Sequence, residues 1–526
     1  MKKLLAVLVV LTLCASPVIP AAADYDTIVY DPQAVVEQGA LQGLKIDSTY
    51  LFLGVPYAKA SRFEMPEKPE AWEGVRKAQT YGPISPMPDQ TSVGYDELVW
   101  PHRYWPQNEN CQVLNIWTQS LDESAGKPVL VFFHGGGQTN GSSIESVAYD
   151  GKNLSEYGDV VVVTVNHRLN VLGYLDLSQF GEDWENTANL GVADLVASLQ
   201  WLHDNVAKFG GDPGNVTIFG QSGGGTKVNA ILHAPSAEGL VHHAIIESGG
   251  GGPLQLPDAG SKKVGELTLA YLGLDVSTID QIKTVPYRDL LAASSKASAY
   301  ARQIDSSLRT GWSPLADGEY LTSDYPDWAK NVDLMTGTVY SESAHNSINQ
   351  GDGRQHDWTD EETRSWLEKR FGEDTDSVLE AFRELFPQME DKDLFFYTAA
   401  GGASSNANIK YAAGGDGRLY TYLFAYEAEA VNNGVTAFHC SELLYAFHNV
   451  DIPINRVATG GTEDAYKMQD VVANMWLNFA RSGDPSQDGV PWAQYTPDDP
   501  QRMIIDLESS CYAFDDAKLN ELMAGR

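Results

Sequence analysis

The sequence predicts an α/β fold with a mostly parallel, doubly wound central sheet, and three observations carry this prediction. Residues 128–133 and 159–165 are continuous apolar runs rich in valine, which is typical of strands buried on both faces of a sheet. Residues 192–206 instead repeat apolar side chains at helical spacing. Because strands and helices alternate here, we expect right-handed crossovers between parallel strands.

The segments that follow extend the same pattern and then depart from it. Further strands are predicted at 215–219 and 241–246, with a short helix between them that begins after a glycine-rich turn. Residues 253–330 and 360–415 lose the alternation and are mostly helical in pattern. We expect these two segments to lie over the sheet as helical cap insertions.

Composition limits the classes of function. Of 526 residues, 43% are hydrophobic and 20% are charged, which suits a globular protein with a large core. Acidic residues outnumber basic ones by 71 to 36, and the net charge of −35 disfavours nucleic acids and anionic membrane surfaces as partners. No zinc-ligand spacing is present, so neither a metal nor another cofactor is expected.

The N-terminal residues have the pattern of an export signal. Lys2 and Lys3 precede an apolar run at 4–14, and three alanines at 21–23 offer a cleavage site. We therefore expect a signal peptide at 1–23, a single catalytic domain at 24–526, and an extracellular or periplasmic location. No later segment is long and apolar enough to suggest a stable membrane anchor.

One short motif indicates nucleophilic catalysis. Gly220-Gln221-Ser222-Gly223-Gly224 fits G-x-S-x-G, in which a serine occupies a sharp turn between a strand and a helix. The glycines let the backbone pass closely on either side of the exposed hydroxyl. Because a strand is predicted to end at 219, the motif has the context that it needs, and Ser222 is the predicted nucleophile.

A second glycine-rich segment, His134-Gly135-Gly136-Gly137, also follows a predicted strand. Acyl transfer develops negative charge on the carbonyl oxygen, which preorganised backbone N–H groups stabilise. We predict that the amides of Gly136, Gly137 and Gly223 form this oxyanion hole. A phosphate-binding loop is the alternative, but no P-loop lysine follows the glycines.

The sequence leaves the base and the acid open. In enzymes with this serine motif the histidine follows the nucleophile in the chain, and spacing alone cannot choose between His439 and His448. Many carboxylates could serve as the acid. The downstream histidines are His233, His242, His243, His345, His356, His439 and His448.

Ordered motifs along nearly the whole chain resemble the type-B carboxylesterase family. Besides the two glycine segments, they are Phe52–Ala58, Arg62-Phe63, Asn110–Trp117, Asn189–Asp194, Phe209–Pro213, Gly337–Ser343 and Ala437–Phe447. The resemblance implies an α/β-hydrolase fold and a catalytic triad in which Glu342 is the acid and His439 the base. It also implies that Ser248 supports the acid.

The sequence departs from the family pattern at several positions. The stretch between Ala58 and Arg62 is short, Ser341 and Ser343 flank the acid, and Gly223 replaces a common alanine. Cys111 matches half of a family disulfide whose partner region, near residue 85, has no cysteine. With Cys440 and Cys511 the mature chain keeps three cysteines, so at least one thiol is unpaired.

Together these features predict an exported carboxylesterase that acts on a small-molecule ester. A lipase or a cholinesterase-like hydrolase could use the same residues. A catalytically inactive adhesion module is the alternative from another class, and the complete set of serine, acid, histidine and oxyanion glycines argues against it. Trp100 lies where a cholinesterase-like enzyme would place a cation-binding indole, but we expect it to pack at the rim and predict a preference for neutral esters.

Overall fold

The computed structural model describes residues 27–90, 94–343, 357–398, 402–431 and 436–524. The predicted signal peptide lies outside these residues. The strands are β1 Ile28–Val29, β2 Gln33–Val36, β3 Gly39–Gln42, β4 Leu44–Ile46, β5 Thr49–Pro56, β6 Val75–Lys77, β7 Val113–Thr118, β8 Lys127–Phe133, β9 Val161–Val165, β10 Gly211–Gln221, β11 His243–Glu247, β12 Asp333–Val339, β13 Leu419–Phe424, β14 Gln501–Ile505 and β15 Ser510–Ala513.

Helices of widely different length connect these strands. The α-helices are α1 Lys152–Gly158, α2 Asn170–Tyr174, α3 Leu190–Asn205, α4 Gly223–Leu232, α5 Ala259–Tyr271, α6 Tyr287–Ile304, α7 Asp327–Lys330, α8 Asp360–Phe371, α9 Thr375–Leu385, α10 Gly402–Ala413, α11 Glu442–Ala446, α12 Arg456–Thr459, α13 Glu463–Ser482 and α14 Ala517–Met523. None of the described helices is long and apolar enough to cross a membrane.

The strands form one large sheet and one small one. The order in the large sheet is β1-β4-β5-β7-β9-β8-β10-β11-β12-β13-β14-β15, and β2, β3 and β6 form the small sheet. From β9 to β14 every neighbouring pair is parallel, whereas the pairs toward both edges are antiparallel. The predicted mostly parallel sheet is confirmed, and its parallel centre places the carboxyl ends of β8, β10, β11 and β12 side by side.

Alternate side chains of the central strands enter two separate cores. Leu130 and Phe132 of β8 pack in a cluster with α13, whereas Val131 and Phe133 pack in a cluster with α3 and α4. The predicted strands at 128–133 and 159–165 are therefore buried on both faces, as their continuous apolar character indicated. The predicted helix at 192–206 corresponds to α3.

The two cap segments are helical, as predicted, but each is divided. Residues 253–330 contain α5, α6 and α7, and the second segment contains α8, α9 and α10. Helices α5 and α6 form a third core with residues 171–190. Helices α8 and α9 pack instead onto the core that contains α13 and one face of the sheet.

Candidate active site

Ser222 occupies the turn between β10 and α4. Its φ of 58° and ψ of −122° are unusual for a residue with a side chain, and strain of this kind concentrates at functional sites. The backbone holds this conformation because the Ser222 N–H donates to the carbonyl of Glu247, at 2.8 Å, on the neighbouring strand β11. The turn carries the side chain out of the sheet at its carboxyl edge, as the motif predicted.

Two glycines after the serine allow unusually close backbone packing. A Cβ on Gly223 would lie 2.5 Å from the Cα and the N of Gly137, and a Cβ on Gly224 would overlap the carbonyl oxygen of Phe133. Helix α4 therefore sits directly against the end of β8. The alanine common in the family at position 223 does not fit here without a shift of the glycine loop.

The segment after β8 is a tight turn with free amide groups. Gly136 and Gly137 have φ values of 79° and 61°, and the Gly136 carbonyl accepts from the N–H of Asn140 at 3.0 Å. Within the described residues the N–H groups of Gly136 and Gly137 donate to no other group. The N–H of Gly223 is one of the unpaired amides in the first turn of α4. These three amides are thus available to a ligand.

Glu342 and His439 meet across two loops. Their segments are joined by a parallel bridge between Ser341 and Phe438, in which the Ser341 N–H donates to the Ala437 carbonyl at 2.9 Å. Nδ1 of His439 lies 2.5 Å from Oε2 of Glu342. Such a contact fixes both the orientation of an imidazole and its tautomer.

Ser222 and His439 line the same cavity, which has a volume of about 360 Å³. Trp100 and Tyr149 form part of the apolar wall, and Trp100 is 5% exposed. Among the described residues no hydrogen bond joins the Ser222 hydroxyl to His439. Catalytic hydrogen bonds in ligand-free enzymes are commonly long and tighten when substrate binds.

The other candidate histidines that the structure describes lie away from this cavity. His448 contacts Asp470 at 2.8 Å and stacks on Tyr157, with ring centroids 4.0 Å apart. His233 contacts the carbonyl of Thr322. His242 and His243 contact the backbone of β10 and the side chain of Asp333 respectively, and His345 and His356 lie outside the described residues.

The Ser248 hydroxyl makes no hydrogen bond to the acid among the described residues. The Ser248 N–H donates to the carbonyl of Gly337 at 2.8 Å, and the buried hydroxyl has no hydrogen-bond partner among the described residues. A supporting role for this hydroxyl therefore stays a prediction. The described residues also contain no group of three or more His, Cys, Asp or Glu side chains that could hold a metal ion.

Two further carboxyl groups are buried near Glu342. Glu247 accepts a hydrogen bond from Nε1 of Trp476 at 2.6 Å, and Glu442 begins α11. Burial raises the pKa of Glu247 above its usual range, and burial together with the nearby Glu247 and Glu342 does the same for Glu442. Burial therefore favours the neutral form of both groups.

Sequence reasoning missed two side chains that contact the site. The amide Nε2 of Gln221 lies 3.3 Å from each ring nitrogen of His439, and its Oε1 accepts from Sγ of Cys440 at 3.0 Å. Lys227 is fully buried and donates to the carbonyl of His134. Gln221 occupies a position of the G-x-S-x-G motif that any residue can take. The only signal for it in the sequence is that it directly precedes Ser222.

Comparison with known proteins gives consistent matches over most of the chain. A model of the "Carboxylesterase family" matches residues 30–521. The para-nitrobenzyl esterase of Bacillus subtilis is 31% identical over 90% of this chain and 94% of its own length. Phenmedipham hydrolase of Pseudarthrobacter oxydans is 28% identical, with coverages of 93% and 97%. A solved esterase from Clostridium hathewayi, described as hydrolysing aliphatic aromatic polyesters, is 39% identical with a TM-score of 0.87, covering 95% of this chain and 99% of its own.

Proposed function

Because this chain belongs to the carboxylesterase family and is a carboxylic ester hydrolase of the α/β-hydrolase type, we propose that it works through an acyl-enzyme on Ser222. His439 takes the proton of the hydroxyl as Oγ attacks the ester carbonyl. It then gives this proton to the leaving alkoxide, and water releases the acyl group by the same steps. Glu342 orients the imidazole and stabilises its positive charge.

The negative charge of the tetrahedral intermediate develops between the two glycine segments. We assign its stabilisation to the amides of Gly136, Gly137 and Gly223, and Gly223 and Gly137 are in close backbone contact. Donors that are already oriented stabilise this charge without reorganisation. This proposal needs no metal and no cofactor.

One observation carries the proposal: His439, which contacts Glu342 through Nδ1, lines the same cavity as the strained Ser222. The test is covalent labelling with a fluorophosphonate, which reacts with an activated serine. We expect the wild type to be labelled once and Ser222→Ala not at all. Ser142→Ala is the matched control, since Ser142 lines the same cavity. Labelling of Ser222→Ala, or its loss in Ser142→Ala, would contradict the assignment.

We propose neutral esters of small or medium size as substrates. The cavity is partly walled by Trp100 and Tyr149, whose rings lie 5.9 Å apart and pack on each other. A cation over an indole contributes roughly 0.5–2 kcal/mol. Because the Trp100 indole is 5% exposed and packs on Tyr149, we expect kcat/KM for a choline ester to exceed that of its uncharged isostere by less than about tenfold. A larger ratio that Trp100→Ala abolishes would favour a cholinesterase-like enzyme instead.

An aromatic polyester is a second candidate substrate. Tyr104 lines the cavity and is 60% exposed, and the neighbouring Trp105 is 40% exposed. Flat aromatic side chains at a cavity mouth can hold a chain that is too long to enter. The Clostridium hathewayi esterase is described as hydrolysing such polymers.

The test compares film hydrolysis with hydrolysis of a small soluble ester. Combined Tyr104→Ser and Trp105→Ser substitutions should slow film hydrolysis severalfold and leave the soluble ester unaffected. Tyr271→Ser is the control, because Tyr271 is exposed on α5 and does not line the cavity. Equal loss on both substrates would reject the polymer role.

We also propose that residues 1–23 direct export and are removed, which leaves the catalytic domain at 24–526. The basic, apolar and small-residue segments in this order support the proposal. N-terminal sequencing of the exported protein should begin at Asp24. A protein retained in the cytoplasm with Met1 intact would contradict it.

A further inference from the structure

Lys227 is a buried cation beside the proposed oxyanion loop. It lies on α4, little more than one helical turn beyond Ser222, and its side chain is fully buried. Its Nζ donates to the carbonyl oxygen of His134 at 2.8 Å. Among the described residues no carboxylate is close enough to form an ion pair with it. Burial lowers the pKa of Lys227 to about 7.

The charges around Lys227 do little to offset this burial. The titratable groups that face it are the buried His134 and His167 and the half-buried Glu145. Only Glu145 favours the ammonium form, and it has no direct contact with Nζ. A buried charge without a partner is unfavourable. The ammonium group at this position therefore lowers the stability of the fold, whereas a neutral side chain would not.

The acceptor of this hydrogen bond is placed where it can affect catalysis. His134 directly follows β8, and its carbonyl lies immediately before Gly135, Gly136 and Gly137 in the chain. Lys227 belongs to the helix that begins with Gly223 and follows Ser222. The bond therefore joins the two segments that supply the proposed oxyanion donors, and hydrogen bonds from charged donors are stronger than neutral ones.

His134 extends the contact into the loop. Its Nδ1 lies 3.0 Å from the carbonyl oxygen of Gly135, which belongs to the same peptide group as the N–H of Gly136. Burial and the neighbouring Lys227 lower the pKa of His134, so the neutral imidazole donates here. A peptide whose carbonyl accepts a hydrogen bond has a more polarised N–H.

We infer that Lys227 is a positioning residue for the oxyanion hole, acting through the His134 carbonyl. Its ammonium group fixes the glycine loop against α4 and places positive charge behind the amides that would receive the oxyanion. This inference rests on the proposed function of Ser222 and the glycine amides. It predicts an effect on the tetrahedral state and little effect on substrate binding.

The chain offers a matched control. Lys410 is also buried, its Nζ donates to the carbonyls of Ala329 and Lys330 at 2.7 Å, and burial lowers its pKa to about 8. It lies on α10 and does not line the cavity. Lys227→Met and Lys410→Met thus remove similar buried ammonium groups, of which only the first contacts the proposed oxyanion loop.

The experiment measures kcat, KM and the affinity for a trifluoromethyl ketone, which forms a tetrahedral adduct with an active serine. In Lys227→Met we expect kcat and ketone affinity to fall in parallel by about tenfold or more, with KM within about threefold of wild type. Lys410→Met should keep all three values. Unchanged kcat and ketone affinity in Lys227→Met, or equal losses in both variants, would overturn the inference.

The pH profile supplies a second readout. The ammonium is present below the pKa of Lys227 and lost above it, so wild-type kcat should decline as the pH rises beyond about 7 to 8. This decline should be absent in Lys227→Met. If that variant does not fold, the wild-type profile decides: a kcat that stays level to pH 9 rejects the inference. Normal fluorophosphonate labelling of Ser222 in the same samples separates this failure from failure of the proposed function.

Discussion

The region around the nucleophile and the second cap are built in different ways. In the first, α4 and the end of β8 touch through backbone atoms, because glycines at 223 and 224 leave no side chains between them. In the second, α8 and α9 pack through side chains: Leu367 and Phe371 of α8 are buried, and Arg364 lies on the surface with Glu368 and Asp376.

This difference predicts different tolerance to substitution. Where backbone packs on backbone, one added methyl group must move a strand end or a helix. Where side chains pack on side chains, neighbouring groups can adjust within the interface. We therefore expect substitutions near the nucleophile to alter catalysis. Substitutions in the second cap should alter only the stability of the fold, or have no effect. The following predictions run from the largest effect to the smallest.

Removal of the proposed base should have the largest effect. His439→Ala should lower kcat/KM on the order of 10⁴-fold or more, and adding Ser222→Ala should cost little further, since the members of a triad act as a unit. Steady-state kinetics on a p-nitrophenyl ester measures this. His448→Ala is the control and should retain wild-type activity, because His448 contacts Asp470 and Tyr157. The reverse result would reassign the histidine.

The second-largest effect is expected from one methyl group added to the turn after Ser222. Gly223→Ala should lower kcat by about 10²-fold, because the new Cβ would displace Gly137 and its N–H donor. The variant should remain folded, since the loop can move outward into the cavity. Kinetics together with circular dichroism tests both parts. A fully active Gly223→Ala would mean that the loop adjusts as easily as the cap does.

A truncation in the cap core should change stability rather than chemistry. Leu367 is 1% exposed on α8, and Leu367→Ala should lower the free energy of unfolding by about 2–5 kcal/mol. The kcat of the folded fraction should match wild type. Urea unfolding and active-site titration separate the two quantities. A reduced kcat per active site would show that the cap helices also position the catalytic residues.

The smallest effect is expected on the cap surface. Arg364 pairs with Glu368 and Asp376 in solvent, and exposed ion pairs contribute little to stability. Arg364→Ala should leave the thermal midpoint and kcat/KM unchanged within error, at both low and high salt. A clear loss of stability at low salt alone would indicate that these three charges act as a network.

The same contrast explains what could be predicted from the sequence. The buried strands β8 and β9 lie within two residues of their predicted starts and ends, because continuous valine-rich runs have few alternatives. The serine motif and the glycine-rich segment were enough to predict the nucleophile and the oxyanion-hole amides. Glu342 and His439 needed the family resemblance, since their contact depends on two loops that are 97 residues apart in the chain.

The contacts of Lys227 and Gln221 could not be predicted. A lysine in a short helix usually lies in solvent, but α4 is buried on nearly every side. Its sequence therefore has no polar face from which the position of Lys227 could be predicted. Gln221 faces His439 only because β10 and the loop after β13 meet at one edge of the sheet. The sequence did not predict where the cap segments divide into separate helices. Each division depends on a local cap, such as the hydrogen bonds between Thr359 and Glu362, and the composition of the whole segment is helical on both sides of it.

The thiols have a consequence for how this chain folds. None of Cys111, Cys440 and Cys511 forms a disulfide, so no covalent cross-link joins distant parts of the described chain. Packing and hydrogen bonds alone hold the strands in register, and no step of thiol–disulfide exchange stands between the extended chain and the folded one. The redox potential of the compartment is therefore not a condition for reaching the folded state. An enzyme of this kind can mature where no oxidant and no disulfide isomerase is present.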